Sequence, residues 1–172
     1  MILEKELKIL NIDSVKIIKK LKKMWAKKVF DWDIHDTYYD FDDIQLDKIK
    51  MSLRIRKKKK SHLYTVKKKI PDETIKIAKE IEHPIKCVKT YKKRLNKHWL
   101  VVNREKKKRR KSYKIWKIVF DIDYYLEYPP LLEIEAHNEK EIFKWVQKLE
   151  LKNHVHKKCG YRWLVRYYNK FS

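Results

Sequence analysis

Glycine is almost absent from this sequence, with one residue in 172. A loop that binds phosphate through backbone amides needs several glycines, so such a loop is excluded and any phosphate must be bound by side chains. Cysteine is also scarce, since only Cys87 and Cys159 are present. Their separation fits neither a zinc motif nor a disulfide framework, which favours a reducing, intracellular setting.

Long apolar runs are missing too. The N-terminal residues 1–10 alternate charged with apolar side chains, and no stretch has the length of a signal peptide or a membrane-spanning helix. We therefore expect a soluble, cytoplasmic protein with no membrane partner. Hydrophobic residues make up 43 % of the chain, enough to build a core, so disorder is not expected. The length predicts a single domain spanning residues 1–172.

Positive charge is in large excess. Lysine and arginine number 46 against 23 acidic residues, which gives a formal net charge of +23. Such a charge attracts phosphates, nucleic acids or anionic membranes. Lysine-rich surfaces also arise from genome composition or adaptation to heat. Net charge alone therefore identifies no ligand.

Hydrophobic periodicity predicts an α+β fold. Asp13 or Ser14 is the expected N-cap of the first helix, and Asn138 opens a later one. The predicted strands are 2–9, 36–41, 51–58, 62–69, 74–82, a short one from Trp99, 111–123 and 131–136. The predicted helices are 14–28, 84–95, 138–150 and a short one at about 160–168.

Charged residues occupy every second position in several predicted strands, so they project to one side of the sheet. Four acidic pairs follow this pattern: Glu4/Glu6, Glu80/Glu82, Asp121/Asp123 and Glu133/Glu135. Basic residues do the same: Lys8, Arg54, Arg56, Lys67 and Lys69. One such strand is typical of an ordinary sheet with a solvent-exposed face.

The repetition in strand after strand favours a different arrangement. About eight strands can close into a barrel that holds a ligand, and the charged residues would then line its interior. The apolar residues between them would face outward and need cover from the amphipathic helices at 14–28 and 138–150. We therefore predict a closed or nearly closed eight-stranded antiparallel β-barrel with a charged lumen and flanking amphipathic helices.

Both signs of charge have a use in such a lumen. Arginine and lysine donate hydrogen bonds to phosphate oxygens. Carboxylates repel the same anion, so their presence indicates Mg²⁺ or Mn²⁺, which prefer oxygen ligands and commonly bridge carboxylates to phosphates. The sequence thus predicts a site for a polyphosphate and a divalent metal ion.

The order of the motifs resembles the CYTH, or triphosphate tunnel metalloenzyme, superfamily. The run is Glu4-Lys5-Glu6-Leu7-Lys8, then DTYYD, LRIR, a strand ending in lysine, ExE, a basic strand, DxD and finally EIE. The resemblance implies that Glu4, Glu6, Glu133 and Glu135 hold metal and that Lys8, Arg54, Arg56, Lys67 and Arg110 contact phosphate. It implies catalytic roles for Asp121 and Lys8, with Glu80, Glu82, Asp123 and Lys69 as additional candidates.

That superfamily includes thiamine triphosphatases, inorganic triphosphatases and class IV adenylyl cyclases. The leading expectation is metal-dependent hydrolysis of inorganic triphosphate, a nucleoside or thiamine triphosphate, or an RNA 5′-triphosphate, by a monomer or homodimer. A class IV adenylyl cyclase that forms cAMP and pyrophosphate is the first alternative. A non-catalytic RNA or polyphosphate binder is the second.

Two parts of the chain fit the motif series less well. Residues 104–111 are basic almost without a break, so Arg109 or Lys108 could take the place of Arg110. The chain as a whole is also more basic than the motif series requires, and we interpret this surplus charge as a solvated basic loop in preference to an RNA substrate or a nucleic-acid surface. The Ser-Tyr that is common near the C-terminus of the family is replaced by Cys159-Gly160-Tyr161.

Overall fold

The computed structural model describes residues 2–72, 74–158 and 161–169. Strands β1 to β9 are Ile2–Ile9, Lys27–Asp40, Met51–Lys58, Ser61–Ile70, Lys76–Pro84, Val101–Ile115, Ile118–Tyr124, Leu131–Glu135 and His156–Lys157. Helices α1 to α5 are Ser14–Lys23, Gln45–Lys48, Val88–Lys97, Glu139–Lys148 and Tyr161–Tyr168. The predicted helix at about 160–168 is α5; Cys159 and Gly160 lie outside the described residues.

All nine strands belong to one sheet. Their hydrogen-bonded order is β5-β4-β3-β2-β6-β7-β8-β1-β9, and β5 also pairs with β1. The pairings of β1 with β8 and β9, of β3 with β2 and β4, and of β7 with β8 are antiparallel. Eight strands therefore form a closed ring of pairings, the connectivity of a β-barrel. The predicted α+β fold with an eight-stranded antiparallel barrel is confirmed, and β9 is an additional strand.

The described residues group into two compact units. The first unit contains Met1–Leu3, Trp32–Ile70 and Ala78–Arg109, and the second contains Glu4–Asp31, Pro71–Ile77 and Arg110–Ser172. Each unit is thus assembled from segments that are distant in sequence. The single domain expected for residues 1–172 stays a prediction.

The core of the second unit lies between strands and two amphipathic helices. Leu7 of β1 and Phe120 of β7 are almost fully buried against Leu21 of α1 and Trp145 of α4. The rings of Phe120 and Trp145 meet edge to face, with centroids 4.9 Å apart. Each large apolar side chain buried in this way contributes about 1.5 to 3 kcal/mol to folding. The prediction that α1 and α4 cover the apolar strand faces is confirmed.

The first unit has a smaller core of the same kind. Leu53 and Ile55 of β3 pack with Tyr39 of β2, with Leu95 of α3 and with Ile85, which lies between β5 and α3. The charged residues Arg54 and Arg56 alternate with these apolar residues, and both sets are buried. A strand buried on its charged face as well as its apolar face is the inside-out pattern that the sequence predicts.

Helix α1 is shorter than predicted. It ends at Lys23, and Lys27 already belongs to β2, so the predicted helix at 14–28 was too long and the predicted strand at 36–41 too short. The end is a Schellman motif in which Trp25, at a φ of 61°, donates to Lys22 and Ala26 donates to Leu21. Glycine usually takes the left-handed position of this motif. Tryptophan there concealed the helix end.

The start of α3 was also predicted wrongly. Pro84 is the last residue of β5, and α3 begins only at Val88, whereas the sequence predicted a helix from 84 to 95. Proline lacks an N–H and is tolerated where no ladder hydrogen bond is needed. The chain remains extended beyond it, because Ile85 donates its N–H to the carbonyl of His62.

The basic run is a strand. Residues 104–111 lie within β6, as the basic strand of the motif series predicts. The strand predicted at 111–123 is instead divided between the end of β6 and β7. Lys106 and Lys108 are buried, with 8 % and 5 % of their surface exposed, whereas Lys107 and Arg109 are exposed. Alternate positions face opposite sides of a strand, so buried and exposed residues alternate from Glu105 to Arg109.

Candidate functional site

Charged side chains gather in two clusters, one in each unit. The carboxylate-rich cluster of the second unit consists of Glu6, Lys8, Lys76, Arg110, Asp121, Asp123 and Glu133. The arginine-rich cluster of the first unit consists of Asp36, Arg54, Arg56, Thr65, Lys67, Glu80, Glu82 and Lys106. Both clusters rest on strands, which fixes their side chains more firmly than loops would.

Arg110 is bound by three carboxylates in the carboxylate-rich cluster. Its Nε and Nη2 donate to Asp123 at 2.6 and 2.7 Å, and Nη2 also donates to Glu133 at 2.5 Å. Its Nη1 donates to Asp121, which stands opposite Glu133 in the pairing of β7 with β8. Burial lowers the pKa of Arg110, but the three carboxylates outweigh it and raise that pKa well above its ordinary value.

Arg110, and not Arg109, is the member of the basic run in this cluster. Arg109 points to the other side of β6, where its Nη1 lies 3.8 Å from Asp33. Lys108 shares the parity of Arg110 and is buried in the first unit. The structure thus resolves the register that the sequence left open.

Lys8 joins two strands of the same cluster. Its Nζ lies 2.5 Å from Glu6 and 2.8 Å from Glu133, the residue opposite it on β8. Lys76 adds a second ammonium group, 2.6 Å from Glu6. Burial lowers the pKa of Lys8, but Glu133 and Glu6 raise it well above its ordinary value. Lys8 is therefore an ammonium ion at neutral pH, suited to donate to an anion and unsuited to act as a base.

The remaining predicted metal ligands flank this group. Glu4 precedes Glu6 by two positions on β1, and Glu135 follows Glu133 by two positions on β8, so each pair shares one side of its strand. Glu6 and Glu135 are direct partners across the antiparallel pair. Side chains at directly opposed positions point to the same face. The strands therefore place Glu135 beside Glu6.

The oxygen atoms of this cluster are donors of the type that a divalent metal ion prefers. Oδ1 of Asp121 is buried and has no hydrogen-bond partner among the described residues. Burial raises the pKa of Asp121, and Arg110 only partly opposes the shift. Within residues 2–72, 74–158 and 161–169, no three His, Cys, Asp or Glu side chains are grouped closely enough to hold a metal ion. The carboxylates are instead paired with Arg110 and Lys8. The oxygen donors fit Mg²⁺ or Mn²⁺ in chemistry.

Asp36 and Arg56 form the centre of the arginine-rich cluster. Nε and Nη2 of Arg56 donate to the two oxygens of Asp36 at 2.6 and 2.8 Å. Nη1 of Arg54 lies 3.8 Å from Oδ2 of the same aspartate. Burial opposes the ionisation of Asp36, but Arg56, followed by Arg54 and Lys106, holds its pKa well below the usual range. A bidentate, charge-assisted pair of this kind is stronger than a hydrogen bond between neutral groups.

Arg54 and Lys67 are held by the acidic pair of β5. Lys67 Nζ lies 2.5 Å from Glu80, and Nη2 of Arg54 lies 3.4 Å from Glu80 and 3.5 Å from Glu82. Thr65 donates its hydroxyl to Glu82 at 3.0 Å. Nε of Arg54 is buried without a hydrogen-bond partner among the residues that the structure describes. A buried donor of this kind suits an anionic ligand.

The family model of the CYTH domain matches residues 3–160. The chain belongs to the CYTH family. Members of the family are in general enzymes that act on triphosphate substrates with a divalent metal. No curated protein matches this CYTH sequence significantly.

Solved structures share the CYTH fold. A Pyrococcus horikoshii protein is 25 % identical, with a TM-score of 0.75 and coverage of 96 % of this chain and 99 % of the other. A candidate adenylate cyclase of Vibrio parahaemolyticus is 16 % identical, with a TM-score of 0.77 and coverage of 95 % and 98 %. A Hippeastrum protein is 12 % identical, with a TM-score of 0.68 and coverage of 95 % of each chain. The last two likenesses show the fold alone.

Several residues of the clusters in this CYTH chain were missed from the sequence. Asp36 lies in the DTYYD motif, but no role was predicted for it. Lys76 lies four residues before Glu80 and therefore shares its side of β5. Lys106 lies in the basic strand whose register the sequence left open. Strand parity could have found all three. Lys69, a predicted addition, is exposed on β4.

Tyr38 was missed as well. The guanidinium of Arg104 lies over its ring, 4.1 Å from the centroid. Burial raises the pKa of Tyr38, but the charges of Arg54 and Arg56 and a hydrogen bond with Arg54 together outweigh burial and lower that pKa. Pairing across strands, which the sequence does not reveal, produces this contact.

Among the described residues no helix has the length and apolar character required to cross a membrane.

Proposed function

We propose that this CYTH protein is a divalent-metal-dependent triphosphatase. Its substrate is inorganic triphosphate, a nucleoside or thiamine triphosphate, or an RNA 5′-triphosphate. The observation that carries the proposal is the burial of carboxylates together with ammonium and guanidinium groups on strands. A pure anion-binding protein would gain affinity by losing such carboxylates, because acids repel a polyanion.

Phosphate would bind the cations, and metal the carboxylates, of the same internal ion pairs. Lys8 and Arg110 are at present neutralised by Glu6, Asp121, Asp123 and Glu133. A phosphate group that accepts hydrogen bonds from Lys8 and Arg110 would release these carboxylates, and they would then need another cation. Binding of triphosphate and of metal is therefore expected to be cooperative.

The roles follow from the charges. Arg54, Arg56 and Lys67 in the first unit, and Lys8 and Arg110 in the second, bind phosphate oxygens. Glu4, Glu6, Glu133 and Glu135 would hold Mg²⁺ or Mn²⁺, and the bound ion would supply positive charge to the phosphates.

Asp121 orients water in this proposal. Its buried Oδ1 has no hydrogen-bond partner among the described residues and is available to accept a hydrogen bond from the attacking water. Glu80, Glu82 and Asp123 hold the basic side chains in place. Lys8 acts as a charged donor, because its pKa is raised.

The rival activity is cyclisation. The Hippeastrum protein is described as a candidate adenylyl cyclase with a dominant triphosphatase activity. A cyclase would release pyrophosphate and form cAMP from ATP. The assay must therefore measure phosphate, pyrophosphate and cAMP in parallel. We further propose a cytoplasmic monomer or homodimer.

The decisive experiment combines a substrate panel with a charge-neutralising variant. Inorganic triphosphate, ATP, thiamine triphosphate and 5′-triphosphorylated RNA are each incubated with Mg²⁺ or Mn²⁺. We expect phosphate release that is abolished by EDTA and falls roughly 100-fold or more in Glu4→Gln/Glu6→Gln. The matched control is Asp42→Asn/Asp43→Asn, which removes two exposed acids and should keep full activity.

Three outcomes would contradict the proposal. Unchanged turnover in Glu4→Gln/Glu6→Gln would remove the metal role of these residues. Pyrophosphate and cAMP as the products from ATP would establish the cyclase. Tight binding of RNA or polyphosphate with no turnover and no metal requirement would establish the non-catalytic binder.

A further inference from the structure

Three tryptophans are unusually exposed at turns. Trp25, Trp116 and Trp99 have 93 %, 91 % and 78 % of their surface in solvent. Each also has a positive φ, of 61°, 53° and 58° respectively. Residues other than glycine pay a steric cost for this conformation, and an exposed indole contributes no burial. Fold stability therefore does not explain these rings.

Two of the three emerge side by side in the second unit. Trp25 lies between α1 and β2, Trp116 lies between β6 and β7, and β2 neighbours β6 in the sheet. Tyr113 of β6, whose pKa is raised mainly by burial, also feels the charge of Lys28 on β2. Trp25 precedes Lys28 by three residues and Trp116 follows Tyr113 by three. The two turns thus leave the same end of this strand pair.

The surroundings of both turns are positively charged. Residues 14–30 contain seven lysines and no acid, and residues 111–118 contain three lysines and no acid. Two of these lysines have acidic partners, Lys20 with Glu150 and Lys28 with Asp31. The others near the rings are exposed: Lys22, Lys23, Lys27, Lys114 and Lys117. Two indole rings thus stand within a surface of ammonium groups.

A membrane is the less suitable partner for this surface. Insertion into a bilayer interface needs a continuous apolar face. The apolar neighbours of the two rings, Met24, Ala26 and Ile115, instead pack against the core of the second unit. Isolated aromatic rings among ammonium groups suit a strand of unpaired bases, which stack on the rings while the phosphates contact the lysines.

We propose that the tryptophan–lysine surface, formed by Trp25, Trp116 and the exposed lysines beside them, binds single-stranded nucleic acid. This binding is independent of the proposed triphosphatase activity. It requires neither a metal ion nor a triphosphate end. The positive φ of the two tryptophans fits this use, because it holds each ring away from the core.

The test is binding of a fluorescently labelled 12-nucleotide oligouridylate with a 5′-hydroxyl, measured by anisotropy in EDTA. The variant Trp25→Ala/Trp116→Ala should weaken binding roughly tenfold or more, because each stacked base contributes substantially. The salt dependence of binding should stay unchanged. Lys114→Gln/Lys117→Gln should instead reduce the slope of log affinity against log salt by about one to two.

Trp99→Ala is the matched control. Trp99 is also exposed, follows a helix and has a positive φ, but it belongs to the first unit. Its removal should change oligonucleotide affinity by less than about twofold, within the effect expected of a surface substitution. Thermal unfolding of all variants verifies that each retains its fold. Glu4→Gln/Glu6→Gln should bind the oligonucleotide as the wild type does, which separates this proposal from the triphosphatase.

The proposal is overturned by any of four results. These are unchanged affinity in Trp25→Ala/Trp116→Ala, an equal loss in Trp99→Ala, equal affinity for a duplex of the same length, and tighter tryptophan-dependent binding to phosphatidylserine vesicles than to the oligonucleotide. The last result would assign the surface to a membrane. Loss of oligonucleotide binding with intact triphosphatase activity would support the nucleic-acid surface.

Discussion

Both charged clusters are built from alternate strand positions, but the charge in excess is negative in one and positive in the other. In the second unit four carboxylates face the three cations Lys8, Lys76 and Arg110. In the first unit the three carboxylates Asp36, Glu80 and Glu82 face four cations: Arg54, Arg56, Lys67 and Lys106. Alternation along strands produces both clusters. The sign in excess decides which ligand each can take.

The buried atoms without partners follow the same division. Among the described members of the two clusters, the carboxylate-rich cluster has one buried acceptor without a hydrogen-bond partner, Asp121 Oδ1, and the arginine-rich cluster has one such donor, Arg54 Nε. The aspartates also differ, because burial raises the pKa of Asp121 whereas arginine neighbours depress that of Asp36. We infer that the carboxylate-rich cluster needs a further cation and the arginine-rich cluster a further anion.

The largest expected effect comes from removing the central cation of the second unit. Arg110→Met leaves Asp121, Asp123 and Glu133 without their guanidinium, so the free energy of unfolding should fall by about 3 to 5 kcal/mol at neutral pH. Millimolar Mg²⁺ should recover more of the stability of this variant than it adds to the wild type. Urea titration with and without Mg²⁺ measures both quantities.

The neighbouring arginine supplies the control for that change. Arg109→Met removes the same charge from an exposed position on β6 and should alter stability by less than about 0.5 kcal/mol. Equal stabilisation of Arg110→Met and the wild type by Mg²⁺ would mean that the carboxylates do not need a cation. The contrast between the two clusters would then fail.

A smaller loss is expected from the opposite change in the first unit. Asp36→Asn leaves Arg56 without a carboxylate partner while Arg54 keeps Glu80 and Glu82, so stability should fall by about 2 to 3 kcal/mol at pH 7. The folded-state pKa of Asp36 is depressed, so its contribution is present above the unfolded pKa of about 3.9 and is lost as pH falls toward the folded value. The difference between variant and wild type should therefore narrow below about pH 4.

Anions, and not metal ions, should rescue this variant. Tripolyphosphate should stabilise Asp36→Asn more than the wild type, and Mg²⁺ should not. Asp33→Asn is the control, since Asp33 lies on the same strand with 83 % of its side chain exposed. Rescue of Asp36→Asn by Mg²⁺, or a loss that stays constant from pH 7 to pH 3, would contradict the assignment of a net positive cluster.

Strand positions could be predicted where alternation is regular. Strands β1, β3 and β8 were predicted to within one residue because charged residues recur at every second position in each of them. Helix ends were not, because the turn that ends α1 has Trp25 at its left-handed position in place of a glycine and because Pro84 closes a strand. The general lesson is that periodicity identifies an element, whereas its end depends on a few backbone hydrogen bonds.

The candidate site was predictable in composition but not in pairing. Parity predicted that Glu6, Lys8 and Glu133 each face the charged side of a strand, whereas the register of Arg110 was left open. That Arg110 contacts Asp121, Asp123 and Glu133 depends on the register of β7 against β8, which the sequence does not encode locally. Lys106 was lost because an uninterrupted basic run hides its own alternation.

The smallest expected effect concerns what the two units share, the glycine-free helix ends. Lys50 in the first unit and Glu150 in the second follow helices with φ values of 59° and 61°. Because glycine adopts this conformation without steric cost, Lys50→Gly and Glu150→Gly should each raise the thermal midpoint by about 1 to 3 °C, measured by calorimetry. The ion pair of Glu150 with Lys20 subtracts little, since 73 % of the glutamate side chain is exposed. Similar rises in the thermal midpoint of both variants would mean that the two units differ only in their charged clusters. A rise in only one variant would show that the helix ends of the two units differ as well.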